Sequence, residues 1–276
     1  VVDTATALEH EGFEVTWLTP GADGCITPDQ LRQAMRPDTI LVSLMAVNNE
    51  LGSINPLAEL AEITHAGGAA LHVDAAQGVG RLDLDVKRLG IDLMSLSGHK
   101  AYGPKGIGVL YVRRSPDISI EPLIHGGGHE RGMRSGTLAT HQIVGMGEAF
   151  ALIHAEAEAD QARILALRNR LLEGLSDLEG VVCNTAIDAA VPNILNLAFE
   201  GVDGESLLMA LRNLAVSTGS ACNSASVEPS YVLTGIGIPR ALALASLRFS
   251  FGRFTTEADI DAALEAIRHA LPGLRR

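Results

Sequence analysis

The sequence predicts an α/β protein with a mostly parallel sheet in a large domain, followed by a smaller α+β domain. Short apolar runs alternate with amphipathic stretches from the start of the chain to about residue 112, which is typical of βαβ units. A long stretch rich in Ala, Glu, Leu and Arg with a helical period comes next, and a second set of strands and helices follows it. The composition is 47% hydrophobic over 276 residues, which is enough to form a sizeable core.

The predicted large domain spans 1–150, and each of its elements has a local signal. The chain opens on an amphipathic helix over 1–12, in which Val1, Ala5 and Leu8 share one face. Thr27 predicts a helix over 28–35, because a threonine at that position can cap the first turn. The remaining elements are a helix at 56–66, a buried strand at 39–45, and strands at 13–18, 70–73, 93–97 and 108–112.

The predicted small domain spans 151–276. A helix over 141–179 is expected to connect the two domains, since the stretch is long and lacks the composition of a flexible linker. The elements expected after it are strands at 192–199 and 245–250 and helices at 205–213 and 257–271.

The composition argues against several classes of partner. The chain has 21 Lys and Arg against 33 Asp and Glu, and a net charge of −12 would repel a phosphate backbone, so no nucleic acid is expected. No apolar run approaches the roughly 18 residues of a membrane span, so no membrane is expected either. Cys25, Cys183 and Cys222 lie far apart, which predicts no disulfide framework and no metal site, and favours a cytoplasmic protein.

Two predicted strands end in residues that can hold a coenzyme. Asp74 follows the strand at 70–73, and Lys100 comes soon after the strand at 93–97. The ends of parallel neighbouring strands would bring both side chains to one crevice. A partly desolvated lysine near other cations can have its pKa lowered enough to form a Schiff base, and an aspartate can hold a protonated pyridine nitrogen. The pair therefore indicates pyridoxal phosphate (PLP), with Ser97 and His99 as donors to its phosphate.

Each member of this pair also has a plainer interpretation. Asp74 alone would cap the turn after its strand, and Lys100 alone would be a solvated loop charge. The chain has only two other lysines, and Lys87 lies on a polar face while Lys105 follows a Gly-Pro turn. Lys100 is therefore the candidate for the Schiff base by elimination.

Cys222 lies in a stretch of small and polar residues, 217–230, without an apolar period. Such a composition is typical of a mobile surface loop. A thiolate there can attack the sulfur of a substrate adduct and carry it away as a persulfide. The alternative is an inert, packed cysteine, which the polar surroundings disfavour.

Several motifs together resemble the cysteine desulfurases of the IscS/NifS type, and the similarity follows essentially the whole chain in order. The motifs are VNNELG at 47–52, DAAQ at 74–77, SGHKAYGPKG at 97–106, GGGHERGMRSGT at 126–137 and STGSAC at 217–222. The resemblance implies a fold-type I PLP-dependent transferase with helices on both faces of its large-domain sheet, working as a homodimer. It implies removal of sulfur from L-cysteine, which leaves L-alanine and an enzyme persulfide. The implied recipients are an iron–sulfur scaffold protein and other sulfur acceptors, for iron–sulfur cluster assembly and tRNA thiolation.

The same resemblance implies roles in the chemistry. Lys100 would bind the coenzyme covalently and then move the proton at the substrate Cα, and Cys222 would receive the sulfur. Arg248 matches the arginine that clamps the substrate carboxylate, for which a planar guanidinium is suited, and Asn49 would also contact the substrate. Taken alone, Arg248 would be a surface ion pair.

The resemblance also implies a set of non-covalent contacts with the coenzyme. They are Asp74 at the pyridine nitrogen, Gln77 and Asn49 on the side of the phenolic oxygen, Ser97 and His99 at the phosphate, and Thr137 at the phosphate of the partner subunit's coenzyme.

This sequence departs from the family pattern at both ends. The family has a segment before the position of Val1 that supplies a phosphate-binding loop and a histidine stacked on the coenzyme ring, and a tail after Arg276 that helps to dock the scaffold. We therefore expect the chain as given to bind PLP weakly and to turn over poorly. Two other functions stay open: another fold-type I PLP enzyme such as an aminotransferase, which has no use for Cys222, and a truncated, inactive relative that acts only as a binding partner.

Overall fold

The computed structural model describes residues 1–218 and 228–275. Its helices are α1 (Val2–His10), α2 (Pro28–Ala34), α3 (Leu57–Ala66), α4 (Thr140–Leu175), α5 (Gly204–Ala210), α6 (Tyr231–Gly235), α7 (Arg240–Leu244) and α8 (Glu257–Leu274). Its strands are β1 (Leu41–Met45), β2 (Ala70–Asp74), β3 (Leu93–Ser97), β4 (Gly108–Val112), β5 (Val181–Cys183), β6 (Ile194–Phe199) and β7 (Ser246–Ser250). Short 3₁₀ turns occur at His99–Ala101, Glu130–Gly132 and Ile187–Ala189.

The chain divides into two compact units, each assembled from three ranges. Unit 1 comprises Val1–Thr16, Leu31–Ala46 and Leu57–Glu156, and unit 2 comprises Trp17–Gln30, Val47–Pro56 and Ala157–Arg276. The boundary between Glu156 and Ala157 falls within α4. The division into domains 1–150 and 151–276 stays a prediction.

Unit 1 contains a four-stranded sheet in the order β1-β2-β3-β4. The first three strands are parallel and β4 runs antiparallel to β3, so the prediction of a mostly parallel sheet is confirmed. In this register Met45 pairs with Asp74, and Asp74 pairs with Ser95. The carboxyl ends of β1, β2 and β3 therefore lie at one edge of the sheet.

Two predictions for the early strands are wrong. Residues 13–18 do not form a strand, although their pattern is suitable, because no strand of the described chain pairs with them. Phe13 and Trp17 are 51% and 49% exposed. The strand predicted at 39–45 forms as β1 but is not fully buried: Val42 and Leu44 are buried while Leu41 and Ser43 are exposed. The exposed residues alternate with the buried ones, so one face of β1 is accessible to solvent.

Unit 2 contains an antiparallel sheet in the order β5-β6-β7. All six residues of the central strand β6 are buried. Leu195 and Phe199 of that strand belong to a core that includes Leu171 of α4 and Ile267 of α8. The hydrophobic effect of burying these side chains, at about 25 cal/mol per Å² of apolar surface, is the main stabilising term of the unit.

Local signals explain where two helices begin. Thr27 and Gln30 form a reciprocal pair before α2, in which Thr27 N donates to Gln30 Oε1 and Gln30 N donates to Thr27 Oγ1. Thr256 and Asp259 form the same arrangement at the start of α8. The predicted start positions of both helices are confirmed. The short elements β5, α6 and α7 were not predicted.

Candidate functional site

Five of the predicted coenzyme residues lie at or just beyond the carboxyl ends of β2 and β3 in unit 1. Asp74 is the last residue of β2, and Gln77 follows in the next turn. Ser97 is the last residue of β3, and His99 and Lys100 form the 3₁₀ turn after it. The parallel pairing of β2 with β3 brings these segments to the same edge of the sheet.

The carboxylate of Asp74 is only partly used by its own backbone. Its Oδ1 accepts a hydrogen bond of 3.0 Å from Ala76 N, so the residue does cap the turn after its strand. Its Oδ2 accepts no hydrogen bond from any described residue. Asp74 thus combines a local structural role with an acceptor that remains available.

A tight turn presents Lys100 beyond β3. Gly98 N donates to Ile107 O at 3.0 Å, and a Cβ atom at Gly98 would lie 2.8 Å from the Ile107 side chain and 3.0 Å from Pro104 O. Only glycine therefore fits at this position. The side chains of His99 and Lys100 are exposed, and within the described ranges the Lys100 amine makes no hydrogen bond or ion pair.

Gln77 and Thr137, which are also predicted to contact a coenzyme, differ in their surroundings. The Gln77 side-chain oxygen Oε1 accepts a 2.5 Å hydrogen bond from Arg81 Nη1, which fixes the amide. Thr137 is exposed in the segment before α4, and no hydrogen bond between described residues links it to the strand ends. The structure thus brings Asp74, Gln77 and Lys100 to one edge without joining Thr137 to them.

His72 of β2 links the two neighbouring strands of the same sheet through its side chain, which the sequence analysis did not predict. His72 Nδ1 lies 2.8 Å from Ser43 Oγ of β1, and His72 Nε2 lies 2.8 Å from Ser95 Oγ of β3. Burial lowers the pKa of His72, although the nearby charge of Asp74 opposes this, so the ring is neutral and donates through one nitrogen only. His72 and Asp74 are two residues apart and therefore lie on one face of β2. This spacing is the sequence feature that could have associated His72 with the candidate site.

In unit 2, a tight hairpin holds Asn49. Val47 and Ile54 pair across it, and the Asn48 side chain accepts hydrogen bonds of 2.9 Å from both Glu50 N and Leu51 N. Asn49 O, at the tip, accepts a 3.0 Å hydrogen bond from Arg248 Nη1 of β7. Asn49 and Arg248, 199 residues apart in sequence, are therefore in direct contact.

The guanidinium of Arg248 has an unused edge. Its Nε is buried and has no hydrogen-bond partner in the described part of the chain. Within the same residues Arg248 forms no ion pair, so the surface ion pair considered from sequence is not seen. A buried donor beside a second donor on the same edge suits a two-point contact with a carboxylate.

Arg248 also lies next to the segment that contains Cys222. Its backbone pairs with Ser217: Arg248 N donates to Ser217 O at 2.7 Å, and Ser217 N donates to Arg248 O at 3.2 Å. Cys222 itself lies outside the described residues. The structure therefore fixes one root of this segment without describing the cysteine.

Glu50 contacts Ser230, at the other end of the segment 217–230, and the sequence analysis did not identify this residue. The residue is 5% exposed, and its Oε2 accepts a 2.5 Å hydrogen bond from the Ser230 hydroxyl. Ser230 Oγ in turn accepts hydrogen bonds from Val232 N and Leu233 N and so caps α6. Burial raises the pKa of Glu50, although the Ser230 hydrogen bond and the charge of Arg248 act in the opposite direction. A Ser-capped helix is recognisable from sequence, but its acidic partner 180 residues away is not.

The described residues contain neither a membrane span nor a metal centre. Every helix in these ranges is too short or too polar to span a bilayer. No group of three or more His, Cys, Asp or Glu side chains is arranged to hold a metal ion in those same ranges.

The fold and these motifs place the chain in the class-V aminotransferase family, whose family model matches residues 2–263. Within it the chain belongs to the cysteine desulfurases of the IscS/NifS type. It is 58% identical over 275 residues to "Cysteine desulfurase IscS" of Pseudomonas putida (strain W619), covering 100% of this chain and 68% of that relative.

Solved structures agree with this assignment. A "NIFS-LIKE PROTEIN" superimposes with a TM-score of 0.91 at 33% identity, covering 99% of this chain and 72% of the other. "SspA in complex with cysteine" superimposes with a TM-score of 0.80 at 39% identity, covering 93% of this chain and 71% of the other. The fold is therefore that of the fold-type I PLP enzymes.

Proposed function

We propose that this chain carries the PLP-dependent removal of sulfur from L-cysteine, which yields L-alanine and a persulfide on Cys222. One observation carries the proposal: the Lys100 amine and Asp74 Oδ2 both lie at or just beyond the carboxyl ends of the parallel strands β2 and β3. The amine is exposed, and neither group has a hydrogen-bond partner in the described chain. Membership of the cysteine desulfurase family supports the reaction. The structural relative SspA has been solved in complex with cysteine, which supports L-cysteine as the substrate.

The residues present fit PLP. The edge offers an amine for the aldehyde carbon, a carboxylate for the pyridine nitrogen, and a hydroxyl and an imidazole for the phosphate, in Lys100, Asp74, Ser97 and His99. Gln77 and Asn49 would contact the side of the phenolic oxygen, and Thr137 would reach the coenzyme of the partner subunit. When bound, PLP supplies an electron sink for the substrate carbon atoms.

Arg248 binds the substrate carboxylate in this proposal. Its Nη1 is occupied by Asn49 O, which orients the guanidinium and leaves the Nε edge for a carboxylate. Charge-assisted hydrogen bonds of this type contribute about 1.5–3 kcal/mol each. Because the group is held before the substrate arrives, less conformational freedom is lost on binding.

Lys100 and Cys222 carry the proton and the sulfur. The Lys100 amine removes the proton from the substrate Cα and later returns one. The Cys222 thiolate attacks the substrate Sγ, so that a new S–S bond forms as the Cβ–Sγ bond breaks. The electron pair of the broken bond stays with Cβ, which is then protonated. The balance is one cysteine thiol and L-cysteine giving one cysteine persulfide and L-alanine.

The proposal extends to location and partners. We expect a cytoplasmic homodimer that transfers its persulfide sulfur to an iron–sulfur scaffold protein and to other acceptors, including those for tRNA thiolation. Light scattering of the purified chain would measure the dimer, and a monomer at micromolar concentration would contradict it. No nucleic acid or membrane is proposed as a direct partner.

Borohydride trapping tests the central claim. The chain is incubated with excess PLP, reduced, digested and analysed by peptide mass, and we expect the reduced pyridoxyl group on the peptide that contains Lys100. Lys105→Arg is the matched control and should retain the label, whereas Lys100→Arg should lose it. A label on Lys87 or Lys105, or no label, would overturn the proposal and favour an inactive relative.

Cys222→Ser separates a desulfurase from an aminotransferase of the same fold. We expect the variant to keep the borohydride-dependent label on Lys100 and to lose persulfide formation from L-cysteine. Cys183→Ser is the control and should keep both. Undiminished persulfide formation in Cys222→Ser, or amino transfer to a keto acid without alanine release, would favour the aminotransferase.

A further inference from the structure

A cavity of about 800 Å³ lies in unit 1 at the amino end of β3. Asp92, which lines it, precedes the first residue of β3, whereas Ser97 is the last residue of that strand. Five residues of strand span about 16 Å. The cavity is therefore at the opposite edge of the sheet from the proposed coenzyme residues, and its volume is within the roughly 300–1,000 Å³ of small-molecule sites.

The walls of this cavity are strongly basic. Asp92 is the one acidic residue among those that line it, and the basic ones are His65, Lys87, Arg113, Arg114 and Arg131. The whole chain has a net charge of −12, so this concentration of cations runs against its overall balance. A concave surface lined by charges of one sign raises the local concentration of the opposite ion.

Asp92 does not compensate the remaining positive charges of the cavity, because its carboxylate is already bonded to His65 and Arg113. The Asp92 side chain is 1% exposed and accepts hydrogen bonds from His65 Nε2 at 2.8 Å, from Arg113 Nε at 2.5 Å and from Leu71 N at 2.8 Å. Although burial alone would raise it, these hydrogen bonds hold the pKa of Asp92 below its ordinary value. The carboxylate thus stays charged at neutral pH and serves to position Arg113.

Two further guanidinium groups remain available. Arg114 and Arg131 are exposed, and neither side chain has a hydrogen bond or ion pair with the residues that the structure describes. Arg131 has φ +59°, in the left-handed region that residues with a side chain rarely adopt. The apolar residues Val86 and Ile91 also line the cavity.

We propose that this cavity binds a phosphate-bearing small molecule with at least two negative charges. Arginine forks match phosphate oxygens in pairs, and Arg114 and Arg131 supply two such forks. A concave cavity of this volume favours a small molecule over the flat surface of an acidic protein. The site uses none of the residues to which the proposed desulfurase reaction assigns a role.

Calorimetric titration of the PLP-saturated chain with inorganic pyrophosphate tests the site. We expect one binding site whose affinity falls with added salt and falls at least about tenfold in Arg114→Ala/Arg131→Ala, since that variant loses its charged hydrogen bonds to the anion. Arg212→Ala removes an exposed arginine of unit 2 and should leave the affinity unchanged. His99→Ala should also leave it unchanged, because His99 belongs to the other edge of the sheet.

Several results would overturn the proposal. They are no binding at millimolar pyrophosphate, the same affinity in the double variant, an equal loss in Arg212→Ala, and a loss confined to His99→Ala, which would assign the anion to the coenzyme phosphate site. Binding of a deca-glutamate peptide through Arg114 and Arg131 without binding of pyrophosphate would also overturn it, in favour of an acidic protein surface. Circular dichroism of the double variant should match that of the parent chain, because both arginines are exposed.

Discussion

The two units hold their proposed functional groups in different ways. In unit 1, the Lys100 amine and Asp74 Oδ2 have no hydrogen-bond partner among the described residues, although the backbone that carries them is fixed by strand pairing and by Gly98. In unit 2, Arg248 is held by Asn49 O, and Glu50 is held by Ser230. In the proposed reaction, the groups that would contact the coenzyme are thus left open, whereas the guanidinium that would bind the substrate is preorganised.

The largest effect is expected from the open group Asp74. In Asp74→Asn the carboxylate charge is lost while the turn to Ala76 N can still be capped, so alanine release should fall at least about 10²-fold, the scale of a single preorganised electrostatic group. Asp117→Asn, an exposed acid of the same unit, should leave the rate unchanged. An unaltered rate in Asp74→Asn would assign the residue to turn capping alone.

A smaller effect on a different kinetic constant is expected from the preorganised Arg248. Arg248→Lys keeps the charge but removes the planar edge, so KM for L-cysteine should rise about 10- to 100-fold with a smaller change in kcat. Arg212→Lys serves as the control, and steady-state alanine release is the measurement. A fall in kcat with KM unchanged would break the proposed distinction between coenzyme-contacting and substrate-binding groups.

Asp92 is an exception in unit 1, since its carboxylate is fully engaged. Asp92→Asn should lower the free energy of unfolding at pH 7 by about 1–3 kcal/mol, because Leu71 N, His65 and Arg113 lose a charged acceptor. The folded-state pKa is below the ordinary value, so this stabilisation is present above pH 3.8 and is lost as pH falls through the folded-state pKa.

Urea unfolding measures this difference across pH. Asp83→Asn removes an exposed ion pair with Arg88 and should change the free energy by no more than about 1 kcal/mol. Equal losses in the two variants at pH 7 would show that burial adds nothing to the Asp92 interactions.

The smallest effect is expected from Glu50→Gln, and its sign is opposite. The pKa of Glu50 is raised by burial, so the folded state binds more protons than the unfolded chain and stability falls as pH rises above 4.5. Because Gln can still accept from Ser230, the variant should melt at a higher temperature than the parent at pH 8 and lose that advantage below pH 4.5. Glu265→Gln, at an exposed position on α8, should show neither change, and a lower melting temperature for Glu50→Gln at pH 8 would contradict the prediction.

The sequence was a reliable guide where the signal is local. The strand at 93–97 and the end of β2 at Asp74 follow from apolar runs that stop at polar residues, and the start of α2 follows from its cap at Thr27. The segment 13–18 has an equally good pattern, yet a strand also requires a neighbour to bond with, which no pattern within the segment reports.

The contacts within the candidate site were harder to predict from the sequence. Arg248 was identified through its resemblance to a family motif, but its bond to Asn49 O joins residues that only the fold brings together. The same holds for Glu50 and Ser230, whose contact depends on the positions of a hairpin tip and a helix start. Side-chain chemistry could be predicted from residue type, whereas the partner of each group depends on tertiary packing.

The line from Ser43 through His72 to Ser95 constrains how this sheet can change during evolution. Replacing the ring by phenylalanine would leave two hydroxyls without their nitrogen partner, whereas an all-apolar trio would leave none. The three positions, one on each parallel strand, should therefore change together. Natural variants should contain either all three polar residues or three apolar ones.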